Sequence, residues 1–331
     1  MEKTIFECIL LLILGMYFLI KGADLFVEGS SNVARRLKIP TLIIGLTLVS
    51  IGTSAPELSV SLTSAIQGKE DLSLANVVGS NLFNVLVVIG ASSLFIPLTV
   101  SKSVYKYDIP ILLGIYLLVL LFALLSSPGK FVLWESIVLL SLTVVYIAFL
   151  IFRGKKENKG KVEEPLSEEE TKKVNCWWKN ILFIIIGLAG VVIGGDVVVD
   201  NASAVAKQLS MSEDLVGLTI VAVGTSLPEL VTSMVAAKKG ENDIAVGNAI
   251  GSCIFNIILI LGLSSTIHPL SNLSINEYID IFVMIGSVVL LALLAIKSFK
   301  INRVEGIIMI GVYAIYLTFI ILRDYNIISL V

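Results

Sequence analysis

The chain has 331 residues, of which 56% are hydrophobic and only 15% are charged, and its formal net charge is −2. Its mean hydropathy of +0.95 excludes a soluble globular domain of this length, because such a domain carries far more polar surface. We therefore expect an integral membrane protein whose solvent is the lipid bilayer.

Ten segments of the chain are apolar enough to cross a bilayer, which takes about 20 residues of helix. The first segment is not typical of a signal peptide, because Lys21 and Asp24 follow its apolar run without a small-residue cleavage pattern. The sequence thus predicts an all-α integral membrane protein with ten transmembrane helices, at 5–27, 42–66, 73–98, 107–126, 131–152, 180–200, 214–237, 244–268, 276–296 and 304–322.

A charged segment, 153–179, separates the first five predicted spans from the last five. Runs of Lys and Glu surround Pro165 within it, which is typical of a solvated linker. Lys and Arg are concentrated in the loops on the same side as this linker, so the positive-inside rule predicts a cytoplasmic linker with both termini outside. We expect a multi-pass protein of the plasma membrane.

The parts that flank the linker, 1–152 and 180–331, are related copies. A shift of 172 residues superposes the motif Gly-Thr-Ser-x-Pro-Glu at 52–57 on the same motif at 224–229, within matching regions 50–90 and 222–262. Each copy has five predicted spans, an odd number, so equivalent helices cross the membrane in opposite directions. Inverted five-helix repeats of this kind bring equivalent features together near the midplane and are typical of secondary transporters.

Two carboxylates, Glu57 and Glu229, lie near the middle of the second and seventh predicted spans. A carboxylate at the bilayer centre costs roughly 2.5–3.5 kcal/mol on insertion scales, so it should face the interior of the helix bundle and have a partner. No Lys or Arg lies at that depth. The expected partner is a bound cation, or a proton when the cation leaves.

Each carboxylate shares its helix face with two hydroxyl groups. Thr53 and Ser54 precede Glu57 by four and three residues, which places all three on one face of a helix, and the second motif repeats the arrangement. The proline of each motif should loosen the helix, which would free the backbone carbonyls around 50–53 and 222–225 to serve as ligands.

Two polar stripes on the third and eighth spans add side chains spaced by four residues. Such groups often only hold membrane helices together, and that alternative stays open for each of them singly. All candidate ligands are oxygens, because the three cysteines lack a paired spacing and there is one histidine. Oxygen ligands favour hard cations such as calcium, which takes six to eight of them. The stripes are Asn76, Ser80 and Asn84, and Asn248, Ser252 and Asn256.

The paired motifs, each followed 22 residues after its Glu by Gly-Ser-x-x-Phe-Asn, resemble the two alpha repeats of the sodium/calcium exchanger family, within the calcium:cation antiporter superfamily. The resemblance implies that Glu57 and Glu229 hold calcium together with the carbonyls of Thr53 and Thr225. It also implies alternating access, in which the first and sixth helices slide across the other eight. Finally, it implies two sodium sites, formed by Ser50, Thr53, Ser54 and Ser80 with Glu229, and by Ala222, Thr225, Ser226 and Ser252 with Glu57.

Asn84 and Asn256 would form the central pair of this site, where some family members have an acid. With amides at both positions the fixed charge is at most −2, which one calcium ion, two sodium ions or two protons neutralise. The leading hypothesis is exchange of calcium for sodium, and the alternative is proton/calcium exchange by Glu57 and Glu229. A channel is a less favoured alternative.

We do not expect an enzyme, because equal duplication of the flanking residues suits ion coordination better than two carboxylates with distinct acid and base roles. The expected partners are Ca²⁺, Na⁺ or H⁺, and the lipid bilayer. We expect no resident cofactor, no nucleic acid and no obligate protein partner.

Overall fold

A computed structural model of the chain describes residues 4–68, 70–125, 132–158, 174, 176–209, 222–270 and 273–324. The described structure is almost entirely helical. Two short antiparallel strands, β1 (Leu98–Thr99) and β2 (Lys300–Ile301), pair two of the connections. In chain order the helices are α1 (Ile5–Arg36), α2 (Thr41–Thr53), α3 (Ala55–Ile66), α4 (Leu72–Phe95), α5 (Val104–Leu124), α6 (Leu133–Asn158), α7 (Trp177–Gln208), α8 (Ala222–Gly224), α9 (Leu227–Lys238), α10 (Asn242–Ile267), α11 (Ile275–Ala295) and α12 (Arg303–Asp324).

Eight of these helices are long and apolar enough to cross a membrane by themselves. Helices α2 and α3 pass the same test only as a pair, with a bend of 49° between them, and would make a ninth span. The prediction of a multi-span, all-α membrane protein is therefore confirmed. Residues 214–221, the start of the seventh predicted span, lie outside the described residues. The described part of that span contains α8 and α9.

Helices α1 and α7 pack against each other along most of their length. A Cβ atom added at Gly22 would lie 2.6 Å from the backbone nitrogen of Val191, and one added at Gly194 would lie 2.6 Å from that of Leu19. Only glycine permits two helix backbones to approach so closely. The two long helices therefore form one closely packed pair.

Helix α10 lies at the centre of the protein, and most of its side chains are buried. Its regular α-helix ends at Phe255, and residues Asn256–Leu261 form a π-helical turn. Helix α4 has the same feature, since a π-helical turn at Asn84–Val88 follows Phe83. Such turns occur often at functional sites in membrane and soluble helices, and both begin at an asparagine of the predicted polar stripes.

Helices extend into both ends of the segment predicted as a charged linker. Helix α6 continues to Asn158 and α7 begins at Trp177, while 159–173 lies outside the described residues. Arg153, which we counted among the charges of the linker, lies within α6 and is 7% exposed. Its guanidinium contacts both carboxylate oxygens of the buried Asp108, at 2.9 and 2.8 Å. The aspartate supplies the counter-charge that makes this burial possible.

Candidate functional site

The two motif carboxylates occupy equivalent positions at the starts of two helices. Helices α3 and α9 begin one residue before Pro56 and Pro228, in the first turn, where the missing N–H of proline costs no intrahelical hydrogen bond. The chain bends at Ser54, which separates α2 from α3. Glu57 and Glu229 follow directly, and both side chains are completely buried.

Each carboxylate accepts a hydrogen bond from the serine of the opposite motif. Ser54 Oγ donates to Oε1 of Glu229 at 2.8 Å, and Ser226 Oγ donates to Oε1 of Glu57 at 2.9 Å. The two bonds therefore cross between the halves of the chain. They place the helix break of one motif against the acid of the other.

A second serine contacts each carboxylate from the neighbouring polar stripe. Ser80 Oγ donates to Oε1 of Glu57 at 3.2 Å, and Ser252 Oγ lies 3.5 Å from Oε1 of Glu229, at the long limit for a hydrogen bond. In the sodium sites implied by the sequence resemblance, Ser80 accompanies Glu229 and Ser252 accompanies Glu57. In the structure each of these serines instead contacts the acid of its own half.

The backbones of the two acids are held in the same way. Asn76 Nδ2 donates to the carbonyl oxygen of Glu57 at 3.2 Å and to a serine hydroxyl at 2.9 Å. Asn248 Nδ2 makes the same two contacts with Glu229 and its serine, at 3.2 and 2.9 Å. The equal distances show that each half builds its acid-bearing turn alike.

The remaining predicted ligands lie around this centre with less symmetry. Thr53 is buried and donates to Oδ1 of Asn248 at 3.0 Å, whereas the hydroxyl of the half-buried Thr225 has no hydrogen-bond partner among the described residues. The carbonyl of Ser50 accepts from Ser252 Oγ at 3.4 Å. The side chain of Ala222 lies outside the described part of the chain.

Four buried oxygen atoms at the centre lack a hydrogen-bond partner within the described residues. Two are carboxylate oxygens, one on each motif acid, and two are amide oxygens. A buried oxygen without a donor is costly, and oxygens of these types are ligands that hard cations take. In the described ranges, no three His, Cys, Asp or Glu side chains converge to form a different metal site. The four atoms are Glu57 Oε2, Glu229 Oε2, Asn84 Oδ1 and Asn256 Oδ1.

One buried residue beside the polar stripes, Asn81, was not among the predicted site residues. Asn81 accepts a hydrogen bond from Asn256 Nδ2 at 3.0 Å and donates to the carbonyl oxygen of Cys253 at 3.2 Å. Asn81 and Cys253 are themselves 172 residues apart, so they are equivalent positions of the repeat. Within a stretch where the two repeats otherwise match closely, this pair of positions differs. A search for residues that are identical in the two repeats does not find such a pair.

In both sequence and structure, this chain is similar to known cation exchangers and antiporters. The family model described as sodium/calcium exchanger protein matches residues 8–152 and 179–322. The chain is 37% identical over 310 residues to the putative antiporter CaxA of Alkalimonas amylolytica, covering 92% of this chain and 95% of that one. It is 33% identical over 338 residues to the sodium/calcium exchanger MaX1 of Methanosarcina acetivorans, covering 93% and 97%. A solved structure of the sodium-calcium exchanger NCX_Mj superposes with a TM-score of 0.81, at 29% identity over 96% of this chain and 100% of that one.

The fold and the duplicated carboxylate centre together define a polytopic membrane protein of the antiporter class. Both halves of the chain match the family model, and the relatives are covered almost completely. The chain belongs to the sodium/calcium exchanger family, as the paired motifs predicted.

Proposed function

We propose that this protein is a secondary active antiporter that exchanges Ca²⁺ for Na⁺ across the plasma membrane. The observation that carries the proposal is the pair of completely buried carboxylates, Glu57 and Glu229, each fixed through Oε1 by a serine of the opposite motif while Oε2 has no partner among the described residues. Because the side chains that contact the two carboxylates present hydroxyl oxygens, the centre suits hard cations.

The charge of the centre supports exchange between one divalent and several monovalent ions. Two carboxylates carry at most −2, which one Ca²⁺ or two Na⁺ balance, and three Na⁺ would leave the loaded centre with a charge of +1. Ca²⁺ and Na⁺ should therefore occupy the centre at different times, because the two ion types bound together would bury a large excess of positive charge.

The proposed ligands fall into two groups around this centre. Calcium is held by the two carboxylates with the carbonyls of Thr53 and Thr225, and the amide oxygens complete the shell. Sodium is held in flanking positions by serine hydroxyls and backbone carbonyls. The proposed ligand set is Glu57, Glu229, Thr53, Thr225, Ser54, Ser226, Ser80, Ser252, Asn84, Asn256, Ser50 and Ala222.

The proposed architecture has ten spans, arranged as two inverted five-helix repeats at 1–152 and 180–331. Both termini lie outside the cell and the linker lies in the cytoplasm, as the distribution of Lys and Arg favours. Alternating access occurs when the closely packed pair α1 and α7 slides as a unit across the other helices. Glycine contacts along this pair support its movement as one body.

The experiment that tests this function is ⁴⁵Ca²⁺ uptake into proteoliposomes of the purified protein. Vesicles loaded with Na⁺ are diluted into Na⁺-free medium, with the membrane voltage clamped by K⁺ and valinomycin. We expect uptake that depends on the outward Na⁺ gradient and is absent from protein-free vesicles. Absence of uptake under a Na⁺ gradient would overturn the proposed counter-ion.

Proton/calcium exchange is the second candidate, because two buried carboxylates can carry two protons in place of one Ca²⁺. The same vesicles distinguish the two candidates when an outward proton gradient replaces the Na⁺ gradient at the same voltage. Uptake with protons alone would make Glu57 and Glu229 the proton carriers. Uptake with Na⁺ alone would reject this candidate.

A further inference from the structure

Asn248 joins the two halves of the chain through both ends of its amide. Its Nδ2 donates to the carbonyl oxygen of Glu229 and to a serine hydroxyl, at 3.2 and 2.9 Å. Its Oδ1 accepts from Thr53 Oγ1 at 3.0 Å. A carbonyl oxygen only accepts hydrogen bonds, so the contact with Glu229 determines which end of the amide faces Thr53. Asn248 therefore connects the acid-bearing turn of its own half to the helix break of the other half.

The equivalent pair of the duplicated sequence is not joined. Asn76 occupies the position equivalent to Asn248, 172 residues earlier, and makes the same two donor contacts within its own half. Thr225 occupies the position equivalent to Thr53, but its hydroxyl has no hydrogen-bond partner in the described part of the chain. One threonine–asparagine bond is thus formed where the duplication provides for two.

The joined pair and the separated pair also differ in burial. Thr53 and Asn248 are completely buried. Thr225 and Asn76 are each half-buried. Because the two pairs consist of the same residue types, the difference comes from the arrangement of the helices around them. The joined pair therefore lies in the more closed part of the centre, and the separated pair lies in the more open part.

Each threonine lies directly before the break that separates the two helices of its motif. Thr53 is the last residue of α2 and Thr225 follows α8, and their backbone carbonyls are proposed calcium ligands. The Thr53 hydroxyl has one hydrogen, and its nearer acceptor is Asn248 at 3.0 Å rather than the carbonyl of Ser50 at 3.4 Å. This bond ties the end of α2 to α10, so it also holds the carbonyl of Thr53 in place.

We propose that Asn248 and Asn76 are positioning residues that hold the two threonines in turn, one in each state of the transport cycle. Thr53 is bound to Asn248 in the state seen in the structure. When α1 and α7 slide, this bond breaks and Thr225 donates to Oδ1 of Asn76. The inference rests on the proposed function and its inverted repeats, because the opposite-facing state of such repeats has the conformations of the two halves exchanged. Each state then contains one threonine–asparagine bond, which keeps the two states close in free energy.

The direction of a population shift separates this role from simpler ones. A threonine hydroxyl that only stabilised its helix break, or only bound an ion, would act in the same way in both halves. Alternating bonds act with opposite sign in the two halves. Loss of the Thr53 hydroxyl disfavours the observed state, whereas loss of the Thr225 hydroxyl disfavours the other state.

The test is the distance distribution between spin labels on α1 and on the 239–241 turn, measured in purified protein without Ca²⁺ or Na⁺. Cys176, the exposed cysteine, is replaced by serine so that it takes up no label. We expect Thr53→Val to shift the equilibrium away from the observed state by roughly fivefold, the factor that corresponds to one net hydrogen bond. Thr225→Val should shift it by a similar factor in the opposite direction. Valine is close in shape to threonine and keeps the backbone carbonyl.

Three further variants serve as controls. Introducing Thr225→Val into Thr53→Val should restore the wild-type distribution, because each state then lacks one bond. Thr53→Ser and Thr225→Ser keep the hydroxyl donor and should match the wild type. Valine variants that shift the equilibrium in the same direction, or an unchanged distribution in Thr53→Val, would overturn the inference. Uptake of ⁴⁵Ca²⁺ by wild-type vesicles under a Na⁺ gradient keeps that result distinct from a failure of the proposed function.

Discussion

Ser54 donates a hydrogen bond to Glu229, which lies 175 residues further along the chain, at 2.8 Å. The reciprocal bond from Ser226 to Glu57 measures 2.9 Å. Because each motif supplies the acid on one side and the hydroxyl on the other, neither half of the chain forms a complete centre by itself. The duplication thus yields one shared centre rather than two separate sites.

The two acids should both be indispensable for transport. We expect Glu57→Gln and Glu229→Gln each to reduce Ca²⁺ uptake into proteoliposomes to the background of protein-free vesicles, because each change removes half of the fixed charge. Glutamine keeps the size and the acceptor oxygen, so both variants should elute as monodisperse protein in size-exclusion chromatography.

Glu135 provides a matched control for these two variants. It is also a completely buried glutamate with one carboxylate oxygen, Oε1, that has no partner among the described residues. Its Oε2, however, accepts from the backbone nitrogen of Val132 at 2.7 Å, at the start of α6, and not from a motif serine. We expect Glu135→Gln to retain Ca²⁺ uptake. If both motif variants transported as well as Glu135→Gln, the assignment of the centre would be rejected.

The sequence predicted those features that depend on one helix at a time. The apolar lengths predicted the long helices, and the prolines predicted a weakened helix before each acid, where the structure has a bend at Ser54 and a new helix at Leu227. The 172-residue offset indicated that Glu57 and Glu229 belong to one arrangement. Each of these follows from residue chemistry and helical periodicity alone.

Contacts between helices could not be predicted in the same way. Ser80 bonds with Glu57 of its own half, and Asp108 meets Arg153 across two helices. Whether two such side chains meet depends on how the helices cross and rotate, which neither hydropathy nor an internal repeat determines. Arg153 follows an apolar run at the end of a predicted span, a position where arginine is usually exposed. Its burial depends on the packing of α6 against Asp108 of α5.

The crossed serines should contribute to ion affinity. We expect Ser54→Ala and Ser226→Ala each to raise the Na⁺ concentration for half-maximal Ca²⁺ uptake by roughly tenfold, because a hydrogen bond to a charged group contributes about 1.5–3 kcal/mol. The measurement is Na⁺-dependent ⁴⁵Ca²⁺ flux over a series of Na⁺ gradients. Ser265→Ala is the control, since among the described residues that buried hydroxyl donates to backbone carbonyls outside the centre. An equal response of all three variants would show that the serines have a merely structural role.

The ion pair between Asp108 and Arg153 should stabilise the packing of α5 on α6. Arg153 contacts both carboxylate oxygens and also donates to Ser103 Oγ at 2.7 Å. Removing one member of a buried pair leaves an uncompensated charge and typically costs about 3–5 kcal/mol.

We therefore expect Arg153→Met to lower the midpoint of thermal unfolding in detergent by several degrees. The double variant Asp108→Asn with Arg153→Met should recover much of that loss, because it removes both charges. A single variant that is as stable as the wild type would contradict this account. Transport per folded molecule is expected to persist in the double variant, since neither residue belongs to the cation centre.

A set of ion pairs joins α1 to the turn between α9 and α10. Lys239 Nζ lies 2.8 Å from Asp24 Oδ1 and 3.8 Å from Glu28 Oε2, and Arg35 contacts Glu241 at 2.8 Å. If α1 and α7 slide during transport, these contacts must break. They therefore favour the state seen in the structure over the state reached by sliding.

The magnitude of this effect should be small, because Lys239 is 29% exposed and Asp24 is 42% exposed, and exposed ion pairs contribute about 0.2–1 kcal/mol. We expect Lys239→Gln to raise the population of the alternative state by about fivefold at most, which corresponds to the upper value. Distances between spin labels on α1 and on the 239–241 turn would report that population. The shift should shrink in high salt, which screens exposed charges.

Gln67 is the matched control for Lys239, because it occupies the equivalent position of the first repeat and carries no charge. We expect Gln67→Ala to leave the distance distribution unchanged at low and at high salt. An identical distribution for Lys239→Gln and the wild type at low salt would show that the ion pairs do not bias the movement. A shift that persists in high salt would point to altered packing of the turn rather than to lost charge attraction.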